Sequence, residues 1–333
     1  MKRRRNSLLF VKSKKKKLFA GCAFMEISIL LVQKIASMFM MMFMGLLLVK
    51  LGILKSYDSS VLSKLTLYII IPCALLDAMH IERTPERVSG LLLAMFAAIV
   101  VHIVIITLIR LLCHPLKLTR VEECSAIFSN GGGLIMPIVA YCLGSEWVIY
   151  VSAFMLVQLV LNWTYTRIRF SGEKKIEWKK ILLNSNIIVA VVGLVIFFGN
   201  IRLPKLIGET ISSFATAVGP FTMLCLGMLL AEVNMKELYN KRVFLVCGLR
   251  LIILPLTVVL LFTMTGLMKI HPQASSILLV SLLSASAPVG TSIMQMAQLF
   301  NREASYAGVL TTTSVLLCIF TMPIITSLYQ LAL

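Results

Sequence analysis

Residues Phe128–Gly144 read FSNGGGLIMPIVAYCLG. Three consecutive glycines and a proline stand in a run otherwise apolar enough to cross a lipid bilayer. In a helix interior Gly costs about 1 kcal/mol and Pro about 3 kcal/mol relative to Ala. A second interruption of the same kind, LSASAPVGTSIM, lies at residues 283–294, with Pro288 and Gly290 among small polar residues. A helix broken inside a membrane leaves unpaired N–H and C=O groups, each costing several kcal/mol in lipid. Such breaks persist only where they face protein or a wet cavity, so both stretches are read as parts of a binding site.

The rest of the chain supplies the membrane context. Of 333 residues, 59% are hydrophobic and 14% charged, with a mean hydropathy of +0.94. Soluble chains of this size carry roughly a quarter charged residues. Apolar runs near the roughly 20 residues needed to span a bilayer recur throughout. Ten spans are expected, at about 28–50, 59–79, 89–112, 121–143, 147–168, 181–199, 207–231, 242–267, 274–299 and 304–331. The fold class is therefore an all-α polytopic membrane protein.

The most charged loop, RIRFSGEKKIEWKK at 167–180, divides the spans into two sets of five. Pro72 in YIIIPCALLDAM and Pro220 in AVGPFTMLCLGM are 148 positions apart, and Pro137 and Pro288 are 151 apart. Matching interruptions at corresponding places indicate an internal repeat. An odd number of spans per half makes it an inverted one, with broken crossover helices 4 and 9. The expected organisation is a basic extension at 1–24, a first five-helix repeat at 25–169, a loop at 170–180 and a second repeat at 181–333.

Loops after odd-numbered spans carry roughly 16 Lys/Arg and those after even-numbered spans about five, which places the central loop in the cytoplasm. Residues 1–17 hold nine Lys/Arg and no acid, and contradict that orientation. Either Met25 is the native start, with 1–24 an upstream extension, or the segment is a lipid-attracted tail that changes the topology. The apolar stretch between Lys17 and Glu26 is too short for a signal peptide. The net charge of +18 sits in loops and this segment, so it indicates membrane topology rather than nucleic-acid binding.

In an inverted repeat two broken helices can cross near the midplane. Their second halves then aim positive dipole ends and free N–H groups at the crossing, which favours an anion, most simply a carboxylate. Asn130, at the first break, could donate to such a group. Gln158 and Asn162 share one face of the fifth span, and Gln295 and Gln298 follow Pro288. Thirteen of the fourteen acids fall at span ends or in loops and only Asp77 could lie within the membrane, which disfavours coupling through a buried carboxylate; sodium held by carbonyls and hydroxyls stays open. His102 reads as a hydrogen-bonded structural residue or a proton carrier. Arg250 reads as snorkelling to the interface or as neutralising substrate. Glu122 and Glu123 suit a helix N-terminus.

Eight single cysteines without a Cys/His cluster support neither zinc nor a disulfide framework. No membrane Asp pair, His/Glu zinc motif or nucleotide loop is seen, so neither enzyme nor cofactor is expected.

The chain resembles the auxin efflux carrier family of secondary transporters over about residues 25–333. The resemblance rests on Met25–Leu54, YIIIPCALLDAM, FSNGGGLIMPIVAYCLG, NWTYTRI and SAPVGTSIMQMAQLFNREASYAGVLTTTSVLLCIFTMPI in this order and spacing. It implies a scaffold of spans 1, 2, 6 and 7, a transport domain of spans 3–5 and 8–10, and an elevator-like motion. Carried over, the crossover prolines are Pro137 and Pro288, and the site amides are Asn130 and Asn162. The full expected substrate-binding set is Asn130, Gly131, Gly132, Gly133, Pro137, Asn162, Pro288, Gly290 and Thr291. Bacterial members are described as permeases of malate, malonate or similar acids. This chain departs from the pattern at Gly133, where an aromatic residue is common, at Ile135, commonly Gly, and at Ser185, commonly Pro.

The reading is an inner-membrane, multi-pass permease of small mono- or dicarboxylates, with H+ or Na+ coupling open and room for a homodimer. The alternatives are a sodium-coupled symporter of the bile-acid-carrier type, a non-transporting receptor and, as a third, a channel.

Overall fold

The computed structural model describes residues 30, 32–172, 183, 185–231 and 240–333. The expected extension at 1–24 and the loop at 173–180 lie outside the described residues. Twelve helical segments position the site: α1 Val32–Lys50, α2 Ser56–Met79, α3 Pro85–Cys113, α4 Arg120–Ile127, α5 Gly131–Cys142, α6 Ser145–Ser171, α7 Ser185–Gly199, α8 Lys205–Leu230, α9 Lys241–Met264, α10 Ala274–Ser286, α11 Thr291–Leu299 and α12 Ala304–Leu331. Seven of them, α1, α2, α3, α6, α8, α9 and α12, are long and apolar enough to cross a membrane. The regular structure of the described residues is thus all helical, and the chain is polytopic.

Helices from the two halves of the sequence interleave. α2 packs against α7 and α8. α3 packs against α6 and α10, while α12 contacts α9, α10 and α11. By these contacts α1, α2, α7 and α8 lie together, as do α3–α6 with α9–α12, and α5 packs against α8 where the two groups meet. α1 joins the first group by close backbone approach. A Cβ on Gly45 would collide with the Leu224 carbonyl, and one on Gly227 with the Met42 carbonyl.

The prolines act in two different ways. Pro72, Pro137 and Pro255 each follow, by two residues, a wide turn: Thr66–Ile70, Gly131–Ile135 and Leu249–Ile253. A proline has no N–H and its ring clashes with the carbonyl four residues back. Shifting the preceding turn to i→i−5 bonding, as in Met136 N–H to Gly131 O, relieves that clash without ending the helix. Pro288 does the opposite. It forces Ala287 out of helical conformation (φ −63°, ψ 152°), and α10 stops at Ser286.

Candidate functional site

The breaks are the non-helical backbone at Phe128–Asn130 and Ala287–Gly290, and they lie against each other. Ser129 and Val289 form an isolated antiparallel bridge. Asn130 N–H donates to Pro288 O at 2.8 Å, and Gly290 N–H donates to Phe128 O at 3.0 Å. Gly290 is required by this approach, because a Cβ there would sit 2.8 Å from the Ser129 carbonyl.

Side chains satisfy what the bridge leaves over. Gln158 of α6 accepts from Ser129 N–H (3.2 Å) and Oγ (2.7 Å) and donates to Ser129 O at 2.7 Å. Ser314 Oγ of α12 accepts from Val289 N–H at 2.9 Å. The N–H groups of Ser129, Asn130, Val289 and Gly290 are thus taken by the two breaks and these two side chains.

Behind the crossing stands Arg250 of α9, 1% exposed. Its guanidinium donates to Ala287 O (3.0 Å), Ala285 O (2.9 Å), Ala126 O (3.2 Å) and Ile127 O (3.2 Å). These carbonyls end α10 and α4, where the dipoles of both first half-helices are negative. The interfacial placement expected for Arg250 is therefore wrong. Its hydrophobic neighbours and position in the span fit snorkelling equally well, and only the tertiary arrangement reveals the four acceptors.

In front of the crossing lies a cavity of about 130 Å³. α5 and α11 begin at its wall, and the first N–H groups of any helix have no intrahelical acceptor. Asn130, Gly132, Gly133, Asn162, Gly290 and Thr291 line it, together with Gln158 and Gln295. The opposite wall comes from the other helix group: Ser63 and Thr66 of α2, Asn186 of α7 and Thr222 of α8. Asn130 and Asn162 are each 5% exposed and Thr222 is 6% exposed. Within the described residues Asn130 Nδ2, Asn162 Oδ1 and Thr222 Oγ1 have no hydrogen-bond partner. No charged side chain lines the cavity among the described residues. Much of the remaining wall is apolar, including Ile71, Leu75, Met155 and Leu159.

Three expected site residues do not line the cavity. Gly131 opens the wide turn and faces Met155 and Ser129. Pro288 takes part through its carbonyl, which Asn130 N–H occupies. Pro137 sits two turns beyond the break, against Gly219 of α8. It is not the counterpart of Pro288 at the crossing. Its contribution is the widened turn that sets Gly132 and Gly133 on the wall. At Gly133 a Cβ would lie 2.5 Å from Thr222 Cγ2, so the Thr222 methyl fills the space a side chain would take there. Thr222, Ser63 and Asn186 were not singled out beforehand; a small polar residue two positions after Pro220 was the available signal.

The outer end of α4 is fixed by charge. Thr119 and Glu122 form a reciprocal cap, with Glu122 N–H donating to Thr119 Oγ1 (3.2 Å) and Thr119 N–H to Glu122 Oε2 (2.8 Å). Buried Glu122 also accepts from Arg242 Nε of α9 (3.0 Å) and Tyr306 of α12 (2.9 Å). Buried Glu123 accepts from Tyr165 and Arg169 of α6. The two carboxylates do more than favour a helix start. They tie α4 to helices of both halves. His102, also buried, is bound through Nδ1 to Ala98 O at 2.7 Å and packs on Phe154.

The family model described as membrane transport protein matches the chain at residues 30–177 and 169–326. The chain belongs to that family, the family of the auxin efflux carriers. No curated protein matches it. Membership in this transporter family makes the chain a membrane transport protein, and it agrees with the seven apolar helices.

Proposed function

We propose that the chain is a secondary transporter of small organic anions in the inner membrane. Ten spans form two inverted five-helix repeats, counting α4 with α5 and α10 with α11 as the two broken spans. The observation that carries the reading is the cavity between the two helix groups. It brings together two half-helix starts, the unpartnered Asn130 amide and the Thr222 hydroxyl, and among the described residues no acid. Helix N-termini and amide N–H groups suit a carboxylate. The apolar part of the wall suits one charged end better than two, which favours a monocarboxylate over malate or malonate within the expected class. The group carrying the crossing slides against α1, α2, α7 and α8, carrying the anion with it.

Transport in proteoliposomes tests this. Labelled malate, malonate and an apolar monocarboxylate such as phenylacetate would be followed with and without pH or sodium gradients. Saturable flux that Asn130→Ala reduces supports the reading, and binding without flux turns it to the receptor alternative. The sliding step has its own test. Cysteines at Gly133 and Thr222 lie within disulfide reach by the contact above. Oxidation of that pair abolishes the flux that the reduced double-cysteine variant retains. Undiminished flux through the oxidised pair refutes sliding at this surface.

A further inference from the structure

Four carbonyl oxygens at the ends of α4 and α10 surround one group, the Arg250 guanidinium. We propose that Arg250 is a tethered counter-cation for the crossing: it fills the carbonyl cage that a mobile metal cation would otherwise neutralise, so the carrier cycles without sodium. The inference rests on the transporter reading and adds to it the identity of the charge that balances the broken helices.

Three observations support it. The acceptors are neutral carbonyls, and no carboxylate lies within 4.0 Å of Arg250 among the described residues. A full positive charge is thus held by helix-end dipoles alone. The last carbonyls of a helix have no intrahelical donor, and with two such ends meeting in a dry interior a cation is the group that satisfies them. Convergent backbone carbonyls are also how proteins bind dehydrated monovalent cations. Finally, the planar fork of arginine reaches two helix ends at once, which a point-charge ammonium does less completely.

The tether has a mechanistic result. A metal ion in that cage would enter and leave with each cycle and couple transport to its gradient. A guanidinium on α9 moves with the crossing and never dissociates, so the cage contributes no ion stoichiometry. Its charge stays on the far side of the crossing from the cavity and adds to the positive potential that the half-helix starts present to an anion.

The experiment uses the purified full chain, in detergent for melting and in proteoliposomes for flux. Wild-type flux is expected to be equal in sodium and in N-methylglucamine. Arg250→Lys keeps transport within about fivefold, whereas the neutral donor Arg250→Gln loses about tenfold or more. Arg250→Ala melts several degrees lower, and guanidinium chloride at about 5 mM, far below denaturing concentrations, raises its melting temperature but not that of the wild type. The proposal is overturned by sodium-dependent wild-type flux, by Arg250→Lys and Arg250→Gln behaving alike, or by Arg250→Ala melting without response to guanidinium. The melting arm needs no substrate. If no anion moves through the wild type while guanidinium still restores Arg250→Ala, the transport reading has failed and the caged cation has not.

Discussion

Gln158 holds Ser129 at both backbone polar groups, accepting from its N–H and donating to its C=O, and so serves as a short third strand beside the crossing. A single side chain amide thereby replaces the ladder partner that a two-residue bridge lacks. Gln158→Glu retains the acceptor but cannot donate to Ser129 O, and Gln158→Leu loses both contacts. A buried carbonyl left without a donor costs about 1–3 kcal/mol. Both variants are expected to melt lower than wild type and to transport poorly, with Gln158→Leu the less stable. Wild-type melting in Gln158→Leu would remove this side chain from the account of the crossing.

Asn130 and Thr222 both line the cavity, from different helix groups, and both lie beside Gly133. Hydrogen bonds to a charged ligand contribute about 1.5–3 kcal/mol each, or roughly 10- to 150-fold in affinity. Asn130→Ala and Thr222→Val are each expected to raise KM in that range in a flux assay, with little change in melting because both unpartnered atoms vanish with the substitution. Asn130→Asp places a negative charge at the half-helix start and is expected to abolish anion uptake. Uptake that survives Asn130→Asp would move the site elsewhere.

The Gly133–Thr222 contact predicts a compensating pair. Gly133→Ala drives its Cβ into Thr222 Cγ2 and crowds Asn130 Oδ1, 2.9 Å away. Thr222→Ser removes the methyl and keeps the hydroxyl. Flux should fall in Gly133→Ala and recover in part in the double variant, with a coupling energy in the roughly 0.5–3 kcal/mol range of touching residues. Strict additivity of the two changes would show that the contact does not govern the site.

Removing Glu122 separates stability from binding, because it lies outside the cavity. Its side chain is buried, while that of Arg242 is 39% exposed. Breaking a fully buried pair costs roughly 3–5 kcal/mol, and exposure on one side reduces that. Glu122→Gln is expected to lower the melting temperature by several degrees with KM unchanged. Arg110→Ala, which touches Glu123 only at 3.6 Å from an exposed position, should change little. A reversed order of these two variants would show that Glu122 is not the anchor of α4.

The sequence disclosed the breaks and half of the site because those features are local. Gly and Pro in an apolar run mark an interruption wherever it occurs, and Asn130, Gly132, Gly133, Gly290 and Thr291 lie beside one. Asn162 shares a helix face with Gln158, and the family resemblance assigned it to the site. The equal spacing of prolines misled at Pro137. Spacing aligns residues along the chain, whereas the bridge pairs Ser129 with Val289, and Pro137, two turns away from it, acts on the wide turn between. Arg250 and Thr222 were not legible for a different reason. Each gains its meaning from atoms more than 80 residues distant in sequence, the Ala126 carbonyl for one and Gly133 for the other.

The bridge also constrains how the protein is made. Ser129 and Val289 lie 160 positions apart, so the first break waits for its partner until most of the chain has been synthesised. At about 5–20 residues per second that interval is roughly 10–30 s. During it the backbone of Asn130 and Phe128 has no protein partner at the crossing, and a nascent first half must be sheltered by the insertion machinery or by water. The same hydrogen bonds that shape the finished carrier therefore act as a checkpoint in biogenesis: neither half can complete its own core, and a chain truncated before Pro288 should be degraded rather than accumulate in the membrane.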